Sequence, residues 1–143
     1  MERNEILKLA KEERFEEILD VSTGEPVVKI RRRFTLMISR HDSDGELCAA
    51  INKAWTILQH ETSQERLERM CRVGHTMAET GAYDEAIQYL GKALMLPGDK
   101  NIAQKSLAAY LNARAVEKAN KANEMLKNAQ SRVRDNIIHG NWF

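Results

Sequence analysis

Four histidines, two cysteines and one run of basic residues are the groups through which this 143-residue chain could do chemistry. His41, His60, His75 and His139 are scattered. A structural or catalytic zinc needs at least three clustered ligands, and none lie within sequence reach of one another. Ser43 stands two residues from His41, too close and too unsupported to form a hydrolase triad. A Gly-rich phosphate cradle and a paired-carboxylate pattern are both missing. The residue types therefore point away from an enzyme, a metal or a cofactor. Cys48 and Cys71 lack CxxC spacing and read as reduced, buried, small hydrophobes of an intracellular protein. What remains is electrostatic. Lys29, Arg31, Arg32, Arg33 and Arg40, followed by His41, form a basic surface with no acidic residue among them. They form either a docking face for an acidic partner or a solvated face partly neutralised by Glu12, Glu13, Glu16 and Glu17.

These residues must be carried by helices. Only 2 Pro and 7 Gly, with abundant Ala, Leu, Glu, Lys and Arg, favour an all-α chain. Apolar residues from Ile6 to Leu19 recur at three- and four-residue steps, giving an amphipathic helix over Asn4–Leu19 that breaks near Glu13. Pro26 suits the first position of a second helix running to Arg40, with Val27, Ile30, Phe34, Met37 and Ile38 inward. Ser43 and Glu46 have capping-box spacing, so a third helix starts there and runs to His60 with Leu47, Cys48, Ile51, Ala54, Trp55 and Leu58 inward. Thr62 and Glu65 repeat that spacing and open a fourth. Thr80-Gly81 ends it, a fifth reaches about Leu96, and Pro97-Gly98 stops that one. Asp99 is the expected cap of a last helix with neither Pro nor Gly from Asn101 to His139.

The formal charge is +1, which gives no bulk attraction to nucleic acid or acidic lipid. No window approaches the roughly 18 consecutive apolar residues of a bilayer span. The first residues, Met1 to Glu5, lack a secretory apolar stretch. A cytoplasmic or nuclear protein is expected, with no membrane partner and with nucleic-acid contact only a minority option, through the mostly basic stretch from Lys100 to Arg134.

Two stretches resemble known families. Ile51-Asn52-Lys53-Ala54-Trp55-Thr56-Ile57-Leu58 resembles the third-helix signature of the J domain, the Hsp70-binding module of DnaJ-like proteins. Phe15-Glu16-Glu17-Ile18-Leu19-Asp20-Val21 is similar to that family's opening helix, and Lys29 to Phe34 to its basic second helix. His41 then falls where the family places the His of its His-Pro-Asp tripeptide. Here the loop reads His41-Asp42-Ser43. The resemblance thus implies a J-like bundle whose basic helix contacts Hsp70 or another J protein without efficiently stimulating ATP hydrolysis.

Gly81 to Pro97, preceded by Val73-Gly74, resembles the second half of a tetratricopeptide repeat, with the unit close to the 34-residue period. In that resemblance Gly74 allows close helix approach and Ala86 and Ala93 sit at the crossing. A lone repeat cannot bury both faces, so the J-like part is expected on one side and the start of the last helix on the other. Tyr110 to Arg114 is similar to part of the carboxylate clamp of such repeats, although Cys71 and His75 stand where the clamp's Lys and Asn belong.

The last helix carries Ala115, Ala119, Ala122, Leu126, Ala129, Val133 and Ile137 in one stripe, continuing from Ala108 and Leu111. At 1.5 Å per residue it approaches 55 Å, more than a small domain covers, so its far half projects or is covered by something else. The stripe suits a partner helix or a second copy of the chain. Trp142 and Phe143 offer aromatic anchors beyond it. The expected organisation is a J-like domain over 1–64 and a tetratricopeptide-like pair with a long helix over 65–143. The expected function is a non-catalytic co-chaperone-like adaptor, or else a scaffold that assembles through the last helix.

Overall fold

The computed structural model describes the backbone of residues 1–138 and the side chains of residues 1–136; the side chain of Ile137, together with His139, Trp142 and Phe143, lies outside the described residues. Seven helices account for most of that span: α1 Arg3–Lys11, α2 Phe15–Leu19, α3 Val27–Arg40, α4 Gly45–His60, α5 Ser63–Glu79, α6 Tyr83–Ala93 and α7 Asn101–Ile138. The fold class is all-α, with no strand among the described residues.

The first amphipathic stretch breaks at Glu13, where expected, into α1 and α2, and the φ of 59° at Glu13 is left-handed. Arg14 fixes the corner. Its guanidinium bonds both oxygens of Glu17 at 2.9 and 2.8 Å and reaches Glu12 at 3.3 Å. Asp20, also left-handed at φ 52°, ends α2 and turns the chain toward α3. Two expected starts are shifted. Pro26 stands one residue before α3, with extended ψ of 151°, and its carbonyl receives the Lys29 and Ile30 amides. At α4 the cap is Asp44, not Ser43: its carboxylate accepts the Glu46 and Leu47 amides, both at 3.2 Å, and also binds Arg3 at 2.9 Å. A charged acceptor so placed outcompetes a neutral hydroxyl at a helix N-terminus. The box at Thr62 and Glu65 forms as spaced, each side chain bonding the other's amide at 3.1 Å. Helix α6 ends at Ala93, three residues early, and a turn brings Leu96 back into the core.

Two cores result. Ile6, Phe15, Ile18, Leu19, Ile30, Leu47, Ile51, Ala54 and Leu58 fill the space among α1 to α4. Phe34 and Trp55 stack at its edge, ring centroids 5.3 Å apart and planes 14° from parallel. Val27, expected inward, is 53% exposed, because α3 begins beyond the rim of this core. Cys48, expected buried, is half-buried, its thiol donating to the His41 carbonyl at 3.1 Å. The second core joins Leu67, Met70, Val73 and Met77 of α5 to Ala86, Tyr89 and Ala93 of α6 and Ala103 of α7. Gly74 lies where a Cβ would meet the Leu90 side chain at 3.2 Å, so the α5–α6 crossing uses the missing methyl.

Candidate functional site

Helix α3 is held to the body by Ile30, with Phe34, Met37 and Ile38 partly buried beside it. The 3.6-residue repeat then forces Lys29, Arg31, Arg32, Arg33 and Arg40 outward, and all five are exposed. Arg33 reaches Asp20 at 3.3 Å; the other four make no ion pair among the described residues. Val28 and Leu36 lie exposed between them, so the face is basic with an apolar seam. The acidic residues that could have neutralised it are engaged elsewhere. Glu12 and Glu17 serve Arg14, Glu13 faces Arg72 at 3.5 Å, and Glu16 is buried against Arg69.

His41, half-buried, ends α3, its amide bonding the Met37 and Ile38 carbonyls. Asp42 and Ser43 are exposed. Of the loop's two alternative carboxylates, Asp42 is exposed and Asp44 is committed to its cap. The Leu47 amide first, and then Arg3, hold it below the ordinary carboxylate value. Cys71, expected buried, is half-buried, and burial followed by the charge of Glu68 pushes its thiol up, so it is protonated and unreactive at neutral pH.

A buried ion cluster, with no counterpart in the sequence reading, joins the two cores. Arg69 of α5, 2% exposed, donates to the Glu13 carbonyl at 2.8 Å, to both oxygens of Glu16, and to Glu61 at 2.7 and 3.1 Å. Its guanidinium lies 5.2 Å from the Phe15 ring centre. Arg66 adds a bond to the Thr23 carbonyl at 2.9 Å and approaches Glu61 at 3.2 Å. Burial alone would lower the Arg69 pKa, but the bonds from Glu61 and Glu16 outweigh it and raise the value. Two arginines and two glutamates balance and all five Arg69 N–H donors are engaged, which makes this a structural rivet between α2 and α5.

A groove of about 620 Å³ runs between α5 and α7, lined by Leu67, Cys71, His75, Ile102, Ser106 and Tyr110. His75 Nδ1 lies 3.1 Å from the Tyr110 hydroxyl and Nε2 lies 3.0 Å from Glu79. Tyr110 and His75 are thus brought together. Arg114 instead pairs with Asp84 of α6 at 2.9 Å, which removes it from that groove.

Helix α7 packs on the body through Ala103, Ser106, Leu107, Tyr110, Ala113 and Glu117. The expected stripe is rotated away from that seam: Ala108, Leu111 and Ala115 are exposed where the helix still touches α5 and α6. Beyond Glu117 every residue through Asn136 is exposed, including Ala119, Ala122, Leu126, Ala129 and Val133, with Leu126 at 58%. The far half projects. Lys118, Lys121, Lys127, Arg132 and Arg134 outnumber Glu124 and Asp135 on it.

No protein-family model, curated protein or solved structure matches this chain. Among the described residues no three His, Cys, Asp or Glu side chains gather as metal ligands, and no helix is long and apolar enough to cross a membrane.

Proposed function

We propose that the chain is a non-catalytic, co-chaperone-like adaptor that docks an acidic protein surface through α3. The observation that carries this reading is the uncompensated charge of Lys29, Arg31, Arg32 and Arg40 on one helix, with Val28 and Leu36 between them. Charge of one sign around an apolar seam steers an oppositely charged partner and gives it surface to bury. The resemblance of α2 to α4 to a J domain, supported by the Phe34–Trp55 stack, makes Hsp70 or another J protein the partner to try first. The α5–α6 pair, with its close approach at Gly74, supports the tetratricopeptide-like reading of the second half. With Ser43 at the tripeptide's Asp position and Asp44 committed to Arg3 and the α4 cap, binding without stimulation of ATP hydrolysis is the expected behaviour. A pull-down and an ATPase assay with purified Hsp70 test it. Binding lost on Arg31→Glu/Arg32→Glu, with no stimulation by the native chain, supports the reading, and stimulated hydrolysis or binding indifferent to the charge reversal refutes it.

A second reading has its own observation, the projecting half of α7. Leu126 and Val133 at heptad spacing on a bare helix suit assembly with another helix or a second copy. Light scattering decides: a dimer mass that collapses on Leu126→Asp favours a scaffold, and a monomer excludes self-assembly.

A further inference from the structure

A cleft of about 500 Å³ opens where the chain after α2 passes α5 and α6. Val21, Met70, Tyr89 and Leu96 line it with buried apolar surface, and Met95, 82% exposed, stands at its edge. Tyr89 is only 5% exposed, and its hydroxyl is the one buried side-chain polar atom without a hydrogen-bond partner among the described residues. A buried, unpaired hydroxyl is penalised, and phenylalanine would fill the same ring volume without the penalty. The hydroxyl is therefore accounted for if something entering the cleft supplies its acceptor. Burial first, and then the charge of Glu16, keep the phenol from ionising, so it can only offer a proton to hydrogen-bond or accept one. The carboxylates lining the cleft are already answered, Glu16 by Arg69 and Glu17 by Arg14, while Lys92 and Asp20 stand exposed at its rim. Asp20 in turn pairs with Arg33 at 3.3 Å, so the lining offers an incoming cation no unpaired carboxylate, and Lys92 keeps its charge in solvent outside the apolar interior.

We propose that this cleft binds a small, neutral, largely apolar molecule bearing one carbonyl acceptor, which takes the Tyr89 hydroxyl hydrogen bond. The volume lies within the range of about 300–1,000 Å³ typical of small-molecule sites. Met70 and Met95, with flexible thioether chains, reshape around the ligand and uncover the hydroxyl.

The test is a titration of N-benzylacetamide into the isotope-labelled full chain, followed by amide chemical shifts, with 3-phenylpropanoate as the charged control. The expected result is a set of shifts at Val21, Met70, Tyr89 and Leu96, with affinity about three- to tenfold weaker in Tyr89→Phe, the worth of one hydrogen bond. Tyr89→Phe alone should melt at or above the native temperature, because it removes an unpaired group. Ser22→Trp, at an exposed position of the lining, should abolish the shifts whatever Tyr89→Phe does to folding. The proposal is overturned by an absence of shifts at these residues, by equal affinity in Tyr89→Phe, by binding that survives Ser22→Trp, or by phenylpropanoate binding as tightly as the amide.

Discussion

Replacing Arg69 by methionine keeps most of its buried volume and removes its charge, which isolates the rivet between the cores. The side chain makes five hydrogen bonds, to the Glu13 carbonyl and to the carboxylates of Glu16 and Glu61. Without it the two buried carboxylates share only Arg66, which approaches them at 3.5 and 3.2 Å. Stranding a buried charge in this way costs about 3–5 kcal/mol. That is a large fraction of the roughly 5–15 kcal/mol that holds a domain folded. Arg69→Met/Glu16→Leu should recover most of the loss, because Arg66 and Glu61 then balance; only the Glu13 carbonyl stays unpaired, at about 1 kcal/mol. The assay is urea unfolding by far-UV circular dichroism and by tryptophan fluorescence, in a Trp142→Phe background so that Trp55 reports the first core. The two signals should coincide in the native chain and separate in Arg69→Met, since the link between the cores has gone. A single-variant loss below about 1 kcal/mol, or a double variant no better than the single, would refute the argument that uncompensated charge is what matters.

Three further outcomes follow from particular contacts. Gly74→Val should destabilise by about 1–3 kcal/mol through overpacking against Leu90, whereas Gly74→Ala should come out near zero. The alanine gains about 1 kcal/mol of helix propensity, and Leu90 must yield a few tenths of an ångström; thermal melts read both. The Asp44 and Glu65 carboxylates titrate below their ordinary values, held by the Leu47 and Thr62 amides respectively. A lowered value in the folded state means that their contribution is complete above the ordinary carboxylate range of about 4 and is lost as pH falls through the lowered values. The stability gap between native chain and Asp44→Asn should therefore be constant from neutrality to mildly acid pH and close only in stronger acid. Ending the chain after Lys118 should leave the melting temperature unchanged, because nothing described beyond Glu117 is buried. Limited trypsin digestion should cut first at Lys118, Lys121 and Lys127.

The helices and the inward faces of α4 and α5 were legible because their signals are local. The Thr62 box lies within four residues, and Phe34 and Trp55 fall on the apolar stripes of their own helices. The ion cluster was not legible, since Glu16 and Arg69 are 53 positions apart and each reads alone as an ordinary surface charge. On α7 the pattern gave the apolar stripe and the projecting half but not the face that packs on the body. Its alanine-rich surface offers little contrast between faces, and only α5 and α6 select the one through Ala103, Leu107 and Tyr110. The basic residues of α3 were readable as a face. That four of them stand unneutralised was not, because Glu12, Glu13, Glu16 and Glu17 find their partners in Arg14, Arg72 and Arg69.

Helix α7 leaves the body as one unbroken rod and continues for about 30 Å past its last support. Its root packs against α5 and α6, and α5 is bolted to the N-terminal bundle at Arg69. A load applied at the tip is therefore felt as torque at the bolt. Whatever grips the far end would set the heading of the basic α3 face, in the way a handle aims a tool.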